Sequence, residues 1–295
     1  MQRLSHRVLA ATLAAVVGAL SLTACGGADG GAASASAKGD FGTCKVTGTP
    51  GSIKLQPTTP GTLTVETNLP SPGWWHGTSP ETIDGGYEYC LAANIAHRAG
   101  LKKLKVVNAS FDAMVAAQTK NFDIAMAQIS ITDERKKVVD FSAPYYESNI
   151  GLLAKPDAGI TADDVRDRQL AAAVGTTAVT YLKDELKPSK PVRVFQDTDA
   201  MVTAVGSGQI DAGVQDTAIV LGFAKQSAGA LKVIGQFKTN EQYGAIYPKG
   251  SANREQLDKA ITDMQNDGAL DALSKQWLGA EFGGDPNAVP FFDAP

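Results

Sequence analysis

The 295-residue chain has little of what catalysis and metal binding usually need: three histidines and three cysteines. His6 lies in the N-terminal leader, and His76 and His97 have no cysteine or second histidine at ligand spacing, which argues against a metal site. A phosphate-binding loop is missing, and the Gly206-Ser207-Gly208 turn lacks the nucleophile-elbow pattern. No catalytic residue and no cofactor is therefore assigned. Charge of one sign is also lacking: 27 basic and 31 acidic residues give a formal net charge of −4, which offers nothing to nucleic acid. The apolar run at residues 8–22 is too short to span a bilayer comfortably.

That run follows Arg3 and Arg7, so residues 1–24 read as a signal peptide. It ends in Leu22-Thr23-Ala24-Cys25-Gly26, which resembles the lipobox of bacterial lipoproteins. The resemblance implies cleavage before Cys25 and a lipid on its sulfur; the alternative is an ordinary secretory signal with a chance cysteine. Residues 26–40 are almost wholly Gly, Ala and Ser, the composition of a flexible tether. Cys44 and Cys90 then remain as an even pair in an oxidising compartment. They form a disulfide or stay as two free buried thiols, and spacing alone does not decide between these.

The whole chain is 43% apolar and 20% charged, ordinary for a globular protein, and from Gly61 onward it reads as alternating short strands and amphipathic helices, twice over. The first series has strands near residues 63–67, 104–107 and 122–129 with helices at 86–99 and 111–118. The second has strands near 169–174, 192–195, 210–214 and 231–234 with helices at 176–186, 199–205 and 217–226. Two helices, 253–266 and 270–278, follow a run at 243–247. Successive βα units predict an α/β protein of two lobes, each a mostly parallel sheet flanked by helices. Ligands in such sheets sit beyond the carboxyl ends of strands, so two facing lobes make a cleft.

Three strand ends carry polar chemistry. At the first, Ser130 ends a strand, Thr132 caps a helix, and Asp133 and Glu134 fill its first turn, which fixes Arg135. A guanidinium there can hold a carboxylate bidentately, or it can simply pair with Asp133, Glu134 or Asp140. At the second, Gly175-Thr176-Thr177 leads a strand into a helix whose free N–H groups suit an anion, though the same residues make an ordinary cap. At the third, Asp216 ends a strand where it can serve as an N-cap, a ligand for a cation, or both.

The segment Ile129-Ser130-Ile131-Thr132-Asp133-Glu134-Arg135, continuing through Val139-Asp140-Phe141-Ser142-Ala143-Pro144-Tyr145-Tyr146, closely resembles the signature of the family 3 bacterial solute-binding proteins, the receptors of polar amino-acid ABC importers. Ser207-Gly208-Gln209-Ile210-Asp211-Ala212, ending at Asp216, resembles a second stretch of that family. The resemblance implies a type II periplasmic-binding-protein-like fold with two hinge strands. It divides the chain into a signal peptide (1–24), an anchor, tether and pre-domain segment (25–60), lobe 1 (61–148), lobe 2 (149–244), a return to lobe 1 (245–280) and a tail (281–295). It gives Arg135 and Ser130 the ligand's α-carboxylate, with hydroxyl and backbone donors from Ser130, a backbone donor from Thr177, and the α-ammonium to Asp216.

Departures from the family bear on the ligand. Asn68 stands where relatives usually carry an aspartate, and Ala173 offers no cation, so a neutral amino acid is expected. Trp74, Trp75 and Phe111 can wall the ligand or pack their own loops, and Gln128 can reach its side chain. The implied role is a monomeric binding protein, lipid-anchored on the outer face of the cell membrane, that delivers an amino acid to an ABC permease. An extracellular prephenate or arogenate dehydratase on the same fold, which needs an additional pocket acid, and a sensory amino-acid receptor are the alternatives.

Overall fold

The computed structural model describes residues 40–283 and 285–293. The signal peptide, Cys25 and the Gly/Ala/Ser tether up to residue 39 lie outside the described residues. Cys44 and Cys90 are joined by a disulfide, with their Cα atoms 5.3 Å apart. It ties the segment before the first strand to helix α1 (Tyr87–Arg98).

Two five-stranded sheets organise the chain. The first has the order β2-β1-β3-β10-β4, from β1 (Thr62–Thr67), β2 (Lys103–Asn108), β3 (Ile124–Ala125), β4 (Asp140–Phe141) and the late strand β10 (Ile246–Tyr247). The second has the order β7-β6-β8-β5-β9, from β5 (Tyr146–Ala154), β6 (Leu170–Ala173), β7 (Arg193–Phe195), β8 (Ala212–Asp216) and β9 (Lys232–Tyr243). Parallel pairing joins β1 to β2 and β3, and β6 to β7 and β8. The antiparallel pairs involve β10, β5 and β9, the strands by which the chain leaves the first sheet and returns to it.

Alternation of side chains explains why both faces of each sheet are covered. In β5, Ile150, Leu152 and Ala154 enter one cluster with Phe237, while Leu153 enters another with Met201 and Val220. Strand β6 behaves alike, with Leu170 and Ala172 on one face and Ala171 on the other. In the first sheet, Leu63 and Val65 face α1 and α7 (Arg254–Asn266), and Ala125, Phe141 and Ile246 face α2 (Phe111–Val115).

Two expectations about strands change. The strand expected at residues 122–129 reduces to β3 (Ile124–Ala125), and beyond it Gln128 adopts a left-handed backbone (φ 51) that a continuing strand would not contain. The strand expected at residues 231–234 runs on to Tyr243: its second half, Lys238 to Gln242, is polar, so hydrophobic alternation gave no sign of it. There β9 pairs with the start of β5, Tyr146 opposite Tyr243 and Ser148 opposite Glu241, and Tyr243 also bridges to Ser130. The tail packs onto the second sheet. Gln236 donates its backbone N–H to Pro290 O and accepts from Phe292 N, and Phe292 packs edge-on against Phe237.

Candidate functional site

A cleft between the two sheets collects side chains from the strand ends. From the first sheet come Asn68, Phe111, Gln128, Ser130 and Arg135; from the second come Thr177 and Asp216. Seven of the nine residues expected to bind a ligand thus line one cavity. Each is set there by local structure. Thr132 accepts a hydrogen bond from Arg135 N–H, so the short helix α3 (Asp133–Lys136) starts where the sequence places it. Its neighbouring charges are occupied elsewhere: Asp133 pairs with Lys136, Glu134 with Lys137, and Asp140 with Lys249 at 2.8 Å. Arg135 is therefore not a surface partner of those acids.

It is instead buried, at 8% exposure, with its guanidinium 5.3 Å from the centre of the Phe111 ring. Its Nη1 donates to Ser130 O at 2.7 Å and its Nη2 to Gly175 O at 2.9 Å, which joins the two sides of the cleft. Gly175 has φ +77 and lies against Asp112, where a Cβ would approach the Asp112 Cα to 3.0 Å. A side chain there would be strained by its backbone and crowded by the facing lobe. Burial lowers the Arg135 pKa, while the charges of Asp216 and Glu241 oppose that shift.

Asp216, 2% exposed, occupies the N-cap position of α6 (Thr217–Gln226) but makes no capping bond, so its carboxylate is not committed to the helix. Burial drives its pKa well above the usual carboxylate range, and the charge of Glu241 adds to this. The Tyr243 hydroxyl and Arg135 pull it back. One guanidinium and one deeply buried carboxyl group thus face a common space, the arrangement a zwitterion would complete.

Gln128 is held from behind. Its backbone N–H and Nε2 donate to the two carboxylate oxygens of Glu88, at 2.8 and 2.5 Å, and its Oε1 accepts from Ser71 Oγ at 2.8 Å. The left-handed backbone at Gln128, uncommon for a residue with a side chain, is what turns its N–H into that carboxylate. Asn68 donates through Nδ2 to Ala109 O at 3.0 Å. Thr177 opens α4 (Thr177–Tyr181), and its hydroxyl, like that of Ser130, donates to Glu241.

The tryptophans do not line the cleft, which corrects that expectation. Trp74 is fully buried among Tyr87, Tyr146 and Tyr243, edge-on at 5.0–5.6 Å, and Trp75 packs on Tyr89 and donates its indole N–H to Glu88 at 2.8 Å. His76 pairs with Asp84 at 2.6 Å in an exposed loop. Among the described residues no group of three or more metal-ligating side chains gathers, and no helix is long and apolar enough to cross a membrane.

Beyond Thr177 and Asp216, sequence reasoning missed the rest of the second sheet's side of the cavity: Gln196, Asp197, Thr198, Gln215, Ile219 and Phe223. Asp197 caps α5 (Thr198–Ser207) through Oδ1, and Gln215 Nε2 donates to Thr198 Oγ1 at 3.2 Å. The one available signal was positional: Gln196 and Asp197 directly follow β7, and Gln215 precedes Asp216 on β8.

Comparison with known proteins agrees with this geometry. The chain is 33% identical over 196 residues to the L-cystine-binding protein TcyJ of Escherichia coli K12, covering 65% of this chain and 71% of that one. It is 32% identical to the ABC transporter glutamine-binding protein GlnH of Bacillus subtilis 168, over 55% of this chain and 59% of that one. An ancestral arginine-binding protein solved with arginine superposes with a TM-score of 0.66 at 30% identity, over 74% of this chain and 98% of that one. Such relatives are type II periplasmic binding proteins, and those compared are binders rather than enzymes. With residues 78–280 matching the family model, this chain belongs to the bacterial extracellular solute-binding proteins, family 3.

Proposed function

We propose that this protein captures a free amino acid with a neutral side chain in the cleft between its lobes, and hands it to an ABC permease from a lipid anchor at Cys25 on the outer face of the membrane. The observation that carries the reading is the pairing of Arg135 with Asp216 across one cavity. An α-carboxylate on the guanidinium and an α-ammonium on the aspartate engage both lobes at once, so the ligand favours closure through contacts the open form cannot make.

The relatives' names specify cystine, glutamine and arginine, so kinship alone does not choose the side chain. The lining supports a neutral one. Most of its polar part is uncharged, four carboxamides (Asn68, Gln128, Gln196, Gln215) and the hydroxyls of Ser71, Ser130, Thr176, Thr177 and Thr198, and Phe111, Ile219 and Phe223 supply apolar walls. The further acid, Asp197, already uses one oxygen to cap α5. Thermal-shift screening of the mature protein against all amino acids tests the proposal, because a ligand at 100 times its Kd adds about 2.7 kcal/mol of stability. A neutral amino acid should give the largest shift and Arg135→Ala should remove it. A larger shift with lysine, arginine or glutamate would refute the side-chain assignment, and no shift with any amino acid would refute the ligand class.

A further inference from the structure

Glu241 is the acid that both binding hydroxyls serve. It stands on β9, where Ile131 N–H donates to Gln242 O at 2.8 Å and Gly244 N–H to Ile129 O at 3.0 Å, so its backbone is clamped beside Ser130. From there a single carboxylate oxygen, Oε2, accepts from Ser130 Oγ and from Thr177 Oγ1, the latter at 2.9 Å. Ser130 belongs to the first lobe and Thr177, like strand β9, to the second, so this one carboxylate oxygen bridges a hydroxyl from each lobe on the hinge side of the cleft. The bridge lies beside a direct crossing, Arg135 Nη2 to Gly175 O at 2.9 Å. Both converge on residues 175–177, and the Glu241 charge is close enough to Arg135 to favour its protonated form.

We propose that Glu241 is a built-in latch: a carboxylate fixed to the hinge that gathers Ser130, Thr177 and Arg135 as a ligand carboxylate would, and so populates the closed arrangement without contributing a contact to the ligand. It is a positioning residue of the site described above and rests on that reading. Two consequences follow from its geometry. The hydroxyls of Ser130 and Thr177 turn toward Glu241, so the donors left for an α-carboxylate are the guanidinium and the backbone N–H groups of these two residues. Affinity also depends on the latch indirectly, because apparent Kd is the intrinsic value divided by the fraction of molecules in the binding-competent form.

Small-angle scattering on the mature protein, with and without the amino acid found by screening, tests this. Glu241→Gln should enlarge the radius of gyration of the ligand-free protein, reach the same compact value as wild type at saturating amino acid, and raise apparent Kd about ten-fold, the weight of one hydrogen bond to a charged group. Thr177→Val, which keeps the shape and removes the hydroxyl, should open the ligand-free protein equally, and the double variant should open it no further. Unchanged ligand-free dimensions in both single variants would overturn the latch. A tighter Kd in Glu241→Gln would overturn it too, by making Glu241 a competitor of the ligand. The ligand-free measurement needs no amino acid, so it still reads the latch if the proposed ligand class is wrong.

Discussion

Glu88 and Asp216 are both sealed from solvent, at 0% and 2% exposure, yet the protein surrounds them in opposite ways. Glu88 accepts four hydrogen bonds, from the Trp75 indole, from the Gln128 backbone and side-chain amide, and from the Tyr145 hydroxyl. Asp216 makes no capping bond, and the groups that ease its charge are the Tyr243 hydroxyl and the already engaged Arg135, against the opposing charge of Glu241. Burial raises both pKa values. The difference lies in who supplies the partners. An acid whose donors all come from the fold is scaffold, whereas one left short of donors at a cavity wall is suited to a cation from outside the fold.

Asp216→Asn should show the largest effect and the clearest separation. Binding should weaken by about 2–5 kcal/mol in calorimetry, because the amide oxygen brings no negative charge to the ammonium. Stability of the ligand-free protein should move the other way. The Asp216 pKa is raised in the folded state, so the stability tied to its proton is full below about pH 3.8 and is lost as pH rises through the folded value. At neutral pH, above the unfolded value, burial of this acid is therefore a penalty that asparagine removes. The variant's melting temperature should equal or exceed that of wild type near pH 7, with a flatter pH dependence. A lower melting temperature at neutral pH would place Asp216 with the scaffold.

Glu88→Gln should do the reverse. Its four neighbours all donate, so an amide NH2 group meets a donor and leaves at least one buried group unpaired, at a cost of about 1–3 kcal/mol in unfolding free energy. Affinity should fall by less, through loosening of Gln128 alone. The contrast between the two acids collapses if denaturant unfolding finds Glu88→Gln as stable as wild type.

The same contrast explains what could be read without coordinates. The positions of Ser130, Thr132, Arg135 and Asp216 were legible because each depends on a local event, a strand end or a helix start. The two lobes followed from the repeated βα pattern. Glu88 and Glu241 were not legible, since an acid on an amphipathic helix and one in a polar stretch look solvated. Only tertiary register brings Gln128 over the first and Ser130 and Thr177 over the second. The second lobe's lining was hidden for a like reason: Gln196 and Gln215 come from the ends of β7 and β8, strands that flank β6 on opposite sides.

The adjacent tryptophans give the smallest effect and a control on the comparison. The Trp75 indole N–H has a partner in Glu88, while that of Trp74 is buried with no hydrogen-bond partner among the described residues. In Trp74→Phe two terms oppose each other. Lost packing against Tyr87, Tyr146 and Tyr243 destabilises, and removal of an unpaired buried N–H returns about 1–3 kcal/mol. The net change in unfolding free energy should stay within about 2 kcal/mol. Affinity for the amino acid should remain within about two-fold of wild type, because the indole does not itself line the cavity and reaches it only through Tyr243, while its backbone bond to Ser71 O survives the substitution. A ten-fold loss of affinity measured by calorimetry would mean that the aromatic cluster at the hinge strands takes part in closure, and that the line between scaffold and site lies elsewhere than between Glu88 and Asp216.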